Sequence, residues 1–178
     1  PHEATAATYY LDAHATATRA ALDRSWAESV AEEWKQKHRE MAAARARCQA
    51  LSDKSATVGL SIDELWEYAC QMEALESGRA ALPLLQQLLA KEPAHAAANL
   101  AMGRLLLAQN DQSGLQYLEK ALAADREAVI PACQLASGYL ERRGNHKESM
   151  RYRVKAQRQR QQLLDAEAER SAIKPGDS

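Results

Sequence analysis

The sequence contains no phenylalanine, and aromatic residues of every kind make up only 5 % of it. A core of stacked rings is therefore excluded, and any core must be built from Leu, Ala and Met. Val, Ile and Thr are sparse, which argues against a sheet, because residues that fit a pleated surface are the ones missing. No apolar run approaches the roughly 18 residues of a membrane span. An excess of either charge is lacking too. Lys and Arg number 23 against 24 Asp and Glu, a net charge of −1, so no global field draws nucleic acid or an anionic membrane to the chain. Three cysteines, Cys48, Cys70 and Cys133, are far apart, and none has CxxC spacing. They read as reduced thiols packed like small apolar residues. That fits a cytoplasmic or cytoplasm-facing location.

Catalytic motifs are missing as well. His2-Glu3 begins the string HEATA, but Ala6 stands where an H-E-x-x-H zinc motif needs its second histidine. The histidines at 2, 14, 38, 95 and 146 are never four apart, so no helix face pairs two of them as metal ligands. There is no glycine-rich phosphate loop and no G-x-S-x-G elbow. No catalytic residue, metal, cofactor or small-molecule substrate is expected. The first residue is Pro, not Met, which suggests a piece of a longer protein.

What is present favours helix. Ala, Leu, Gln, Glu and Arg dominate, and these lose little entropy on entering one. Residues 1–53 read as an N-terminal helical segment. Glu3 to about His14 is predicted as a short helix. A long amphipathic helix follows, with Leu22, Trp26, Val30, Trp34, His38, Met41, Cys48 and Leu51 forming one stripe. Such a stripe needs cover, and three sources are open: the rest of the chain, a second copy in a homodimer, or a further domain. Residues 54–61 are predicted as loop from their Ser, Thr and Gly content. Ser61 and Glu64 have the spacing of a capping box that starts the next helix.

From 62 to 162 the sequence repeats itself at a period of about 33 residues. The three units are IDELWEYACQMEALESGRAALPLLQQLLAKEP, AAANLAMGRLLLAQNDQSGLQYLEKALAADR and IPACQLASGYLERRGNHKESMRYRVKAQ. In each, a large residue precedes a small one in the first helix, and small residues recur in the second. Close helix crossings are predicted at Ala69 with Ala81, Gly103 with Gly114, and Ser137 with Ser149. Two helices approach closely only where side-chain bulk is absent. Pro83 reads as lying early in its helix, and Pro131 near a first turn, where a missing donor costs least. Arg153 breaks the apolar pattern of the third unit, as suits a last repeat whose outer face meets water. The final helix is predicted to run on to about 172, and residues 163–178 are its end and a disordered tail.

These units resemble tetratricopeptide repeats. The resemblance implies an all-α chain: a right-handed α-solenoid of about three helix pairs, preceded by the long amphipathic helix. It also implies that the first helix of each pair lines a concave groove that binds a protein or peptide. By register the groove would hold Trp66, Cys70 and Glu73, then Leu100, Arg104 and Leu107, then Gln134, Gly138 and Glu141. The Lys/Asn set that clamps a C-terminal carboxylate in the family's chaperone-binding members is absent. A second resemblance is more specific. LDRSWAESVAEEWKQKHRE, with the later LPLLQQLLAKEPAHAAANLAMGRLLLAQND, is similar to the region after the protease domain in bacterial membrane-anchored zinc metallopeptidases of the CAAX-prenyl-protease-like (HtpX-like) family. It implies a non-catalytic accessory module that presents substrates to a protease lying elsewhere in the parent chain. Nucleic acid is disfavoured as a partner. Arg142, Arg143, Lys147, Arg151, Arg153, Lys155, Arg158 and Arg160 make a basic run, but it is interrupted by Glu141 and Glu148 and followed by Asp165, Glu167 and Glu169.

Overall fold

The computed structural model describes residues 24–172, together with 9, 11 and 13. Among them are seven helices and no strand: α1 (Arg24–Thr57), α2 (Ile62–Leu75), α3 (Gly78–Lys91), α4 (Ala96–Ala108), α5 (Gly114–Ala124), α6 (Val129–Arg142) and α7 (His146–Ala172). The chain divides into two units, one ending at Gly59 and the other beginning at Leu60. Apart from residues 9, 11 and 13, the predicted first helix lies outside the described residues, and so do Leu22 and the tail from Ile173.

The first unit is described through α1. Trp34 stacks on His38 one turn later, with ring centroids 5.3 Å apart. Charged residues nearby bond along the helix, as in the 2.7 Å contact of Lys35 Nζ with Glu32 Oε1. The loop predicted to begin at residue 54 is shorter than expected, because α1 continues to Thr57. Its polar residues find partners without leaving the helix. Gln49 Nε2 donates to Asp53 Oδ1 at 2.8 Å, and the Thr57 hydroxyl donates back to the Asp53 carbonyl at 3.2 Å. The stop comes at Gly59, whose φ of +85° is the left-handed conformation that glycine adopts freely. Its N–H and that of Val58 both reach the Lys54 carbonyl, at 3.1 and 3.0 Å.

The second unit is three helix pairs, α2/α3, α4/α5 and α6/α7. Each pair packs on the next through α3 on α4 and α5 on α6, and α4 also touches α6. Local chemistry sets the helix starts. Ser61 Oγ accepts from the Glu64 N–H while Glu64 Oε2 accepts from the Ser61 N–H, which closes the capping box. His95 caps α4 in an unusual way, its Nδ1 accepting from the Ala98 N–H at 3.1 Å. Pro131 falls in the first turn of α6. Pro83 is a correction: it is the sixth residue of α3, past the first turn, so it removes a hydrogen bond that the helix would otherwise make.

Small residues decide how closely the pairs close. A Cβ on Gly103 would lie 2.9 Å from the Gly114 carbonyl oxygen and 2.6 Å from Leu118 Cδ2. A Cβ on Gly114 would meet the Gly103 carbonyl at 2.6 Å. The backbones of α4 and α5 are thus in contact. Ala69 and Ala81 are buried in the first pair, Ser137 and Ser149 in the third. The buried hydroxyls are satisfied, Ser137 Oγ donating to the Gln134 carbonyl and Ser149 Oγ to Glu141 Oε2. Around the second and third pairs lies a continuous core that includes Leu107, Leu118, Cys133, Ala136, Tyr139 and Leu140. Each such leucine contributes about 1.5–3 kcal/mol through the area it withdraws from water.

Candidate partner-binding face

The first helices of the three pairs, α2, α4 and α6, present the residues that the register assigned to a groove. Two of these helices are joined by a charge pair. The Arg104 guanidinium sits 2.6 Å from Glu73 Oε1 and donates to Oε2 at 2.7 Å. One guanidinium nitrogen thus faces both carboxylate oxygens and links α2 to α4. Cys70, Glu73 and Arg104 therefore share one surface. Cys70 is exposed beside them, which corrects the expectation that all three thiols pack inside; Cys48 and Cys133 are buried. Partial desolvation and the neighbouring Glu73 carboxylate raise the Cys70 pKa, while Arg104 pulls it down. The thiol therefore stays protonated near neutrality. Beside a carboxylate and a guanidinium that already neutralise each other, it offers a hydrogen-bonding surface and a slow nucleophile.

Trp66 is half-buried, and its ring lies 5.6 Å from that of His95 at a tilt of 40°. The histidine that caps α4 thus also buttresses the tryptophan of α2. Gln134 is exposed on α6, and Gly138 is half-buried with only the Arg142 side chain within 4 Å of a would-be Cβ.

Two of the expected groove residues are placed otherwise, and a third is half-buried. Leu107 is 5 % exposed and belongs to the core, and a Cβ on Gly114 would meet its Cγ at 2.8 Å. The close crossing of α4 and α5 turns it inward. Leu100 is only partly buried but packs against the same core. Glu141 turns toward α7, where it accepts from Ser149 and pairs with Arg153, with His146 Nδ1 3.7 Å away. The apolar residue that Arg153 replaces would have packed there, and Glu141 compensates its charge instead.

Several ties went unforeseen. Asn99 is fully buried at the start of α4, and its amide donates to the carbonyls of Pro93 and His95. Asn110 adopts φ +66° in the turn after α4, and its carbonyl accepts from Arg143 Nη2 at 3.3 Å. Arg143 also lies over the Tyr139 ring, 5.4 Å from its centroid. Tyr152 OH donates to Glu119 Oε1 at 2.6 Å, and burial together with that carboxylate pushes the phenol pKa well up. The partners of Glu73–Arg104, Asn110–Arg143 and Glu119–Tyr152 are separated by 31, 33 and 33 residues, so each tie spans one repeat. A polar residue recurring at the repeat period was the only signal available for them.

Among the described residues no group of three or more His, Cys, Asp or Glu is placed to hold a metal ion. No described helix is long and apolar enough to cross a membrane. No family model and no curated protein matches the chain, so the metallopeptidase resemblance gains no support there. Solved structures do match. A crystal structure of MamA aligns with a TM-score of 0.64 at 15 % identity, over 73 % of this chain and 76 % of that one. A second MamA crystal structure gives 0.59 at 16 %, over 96 % and 97 %. The structure described as MamA MSR-1 C2 gives 0.58 at 15 %, over 88 % and 97 %. At that identity the likeness is one of fold, and the fold is that of MamA: an all-helical, tetratricopeptide-like solenoid.

Proposed function

We propose that this chain is a non-catalytic protein-interaction module that binds a peptide or partner helix along the surface formed by α2, α4 and α6. The observation that carries the reading is the Glu73–Arg104 pair. It links two successive first helices, and Trp66, Cys70, Glu73 and Arg104 lie together there as one polar surface with an aromatic edge. Trp and Arg are residue types that anchor interfaces when a partner desolvates them. Gln134 extends the surface onto α6. Leu107 and Glu141 are not part of it, so the surface is shorter and more polar than the register implied.

The test is a pull-down from source-cell lysate with the tagged chain and three variants. Trp66→Ala and Arg104→Glu should lose the captured partners, while Arg79→Glu, on the exposed side of α3, should keep them. Equal recovery by all four moves the binding site off this surface. The accessory-domain reading rests on sequence resemblance alone. A parent reading frame carrying H-E-x-x-H upstream of this chain decides it.

A further inference from the structure

The second helix of each inner pair is covered by the first helix of the next pair, α3 by α4 and α5 by α6. Among the described residues no helix follows α7. Aligning Ser149 with Gly114 puts Met150 where α5 has Leu115 and Gln157 where it has Leu122. Both leucines pack into the core shared with the following pair. On α7 Met150 is 55 % exposed, and further along the same face Val154 is 38 % and Leu164 59 % exposed. With Gln157 and Gln161 these residues recur at spacings of four and three, a single stripe along the helix. The buried Ser149 and Ala156 lie on another side of α7, about 100° around the helix.

Charge borders this stripe on both sides. Lys147, Arg151, Lys155 and Arg158 follow one edge at spacings of four, four and three, and Arg153 and Arg160 follow the other. Of these six, Arg153 is paired with Glu141; among the described residues the other five make no salt bridge. As far as Arg160 the border is cationic, and beyond it Asp165, Glu167 and Glu169 follow; along the cationic part an uncovered apolar stripe repels a basic neighbour and favours an acidic one. The stripe holds methionine, valine and leucine with two glutamines and no aromatic ring. It therefore suits side-chain packing better than base stacking or insertion between lipids.

We propose that this face of α7 is a docking site for one amphipathic helix of a partner protein, apolar along its inner stripe and acidic on both flanks. The helix would take the place that a fourth repeat's first helix would occupy. This site is separate from the α2–α4–α6 surface and does not depend on that reading.

The probe is a designed helical peptide with a leucine stripe and glutamate flanks, compared with the same peptide carrying lysine flanks. Binding to the full chain is read by fluorescence anisotropy, and the contact surface by methyl and amide NMR shifts. The glutamate peptide should bind, shift Met150 and Val154, and weaken as salt rises, while the lysine peptide should not bind. Met150→Glu, and separately the double change Arg151→Glu with Arg158→Glu, should each weaken binding about tenfold while leaving the circular dichroism unchanged. Equal binding of both peptides, shifts confined to α2 and α4, or no loss in the double variant overturns the proposal. So does concentration-dependent self-association abolished by Met150→Glu, which would make the occupant a second copy. Retention on phosphatidylserine vesicles or RNA without peptide binding overturns it as well.

Discussion

Two glycines in helical positions have opposite reasons to be there. Gly103 faces the backbone of α5, and its own carbonyl lies against Gly114. Gly103→Ala should therefore destabilise the chain by about 1–3 kcal/mol through overpacking, although alanine is the better helix former by about 1 kcal/mol. Gly138 has room for a Cβ. Gly138→Ala should stabilise by about 0.5–1 kcal/mol, since only the helix preference remains. Denaturant melts of both variants check the pair, and a loss at Gly138 equal to that at Gly103 would contradict the packing described. The thiols are similarly distinguished by position. Cys70 should be alkylated in the native state and Cys133 only after unfolding, as read by mass spectrometry. Because its pKa is raised, the Cys70 rate at pH 7 should fall below that of a free cysteine and climb as pH rises through the raised pKa.

At the scale of elements, the repeats are stapled by polar contacts that each reach one repeat along the chain. The Tyr152–Glu119 bond joins the second helices of adjacent pairs. Tyr152→Phe should cost about 1 kcal/mol, discounted from the usual worth of a hydrogen bond to a charged group because Glu119 is exposed. The capping box at Ser61 is a local device, and Ser61→Ala should likewise cost about 1 kcal/mol. Helix starts of this kind were readable because a cap is set by neighbours three residues apart. The end of α1 was not. Ser52, Asp53 and Ser55 look like breakers in sequence, yet inside a helix their side chains can bond within one turn or face water. Gly59, with its left-handed backbone, is what stops the helix.

For the molecule as a whole, stability should reside in the three stacked pairs and not in the far end of α7. From Leu163 to Ser171 the side chains are exposed, apart from the half-buried Ala166. Truncation after Gln162 should shift the melting temperature by less than about 2 °C, a circular-dichroism measurement. A larger drop would show that the end of the helix is packed. The repeat architecture was legible because it is written locally. A helical period recurs at a fixed interval, and small residues stand where backbones must meet, so composition and spacing already demand stacked helix pairs. Which side chains the stack leaves outside was not written locally. Arg104, Leu107 and Glu141 all lie on first helices at positions that the register assigns to the groove. Arg104 reaches Glu73 on the neighbouring pair, Leu107 turns into the core against Gly114, and Glu141 is drawn to Arg153 on α7. Those outcomes depend on how far each helix rotates about its axis. That rotation follows from the packing of residues brought together only in three dimensions.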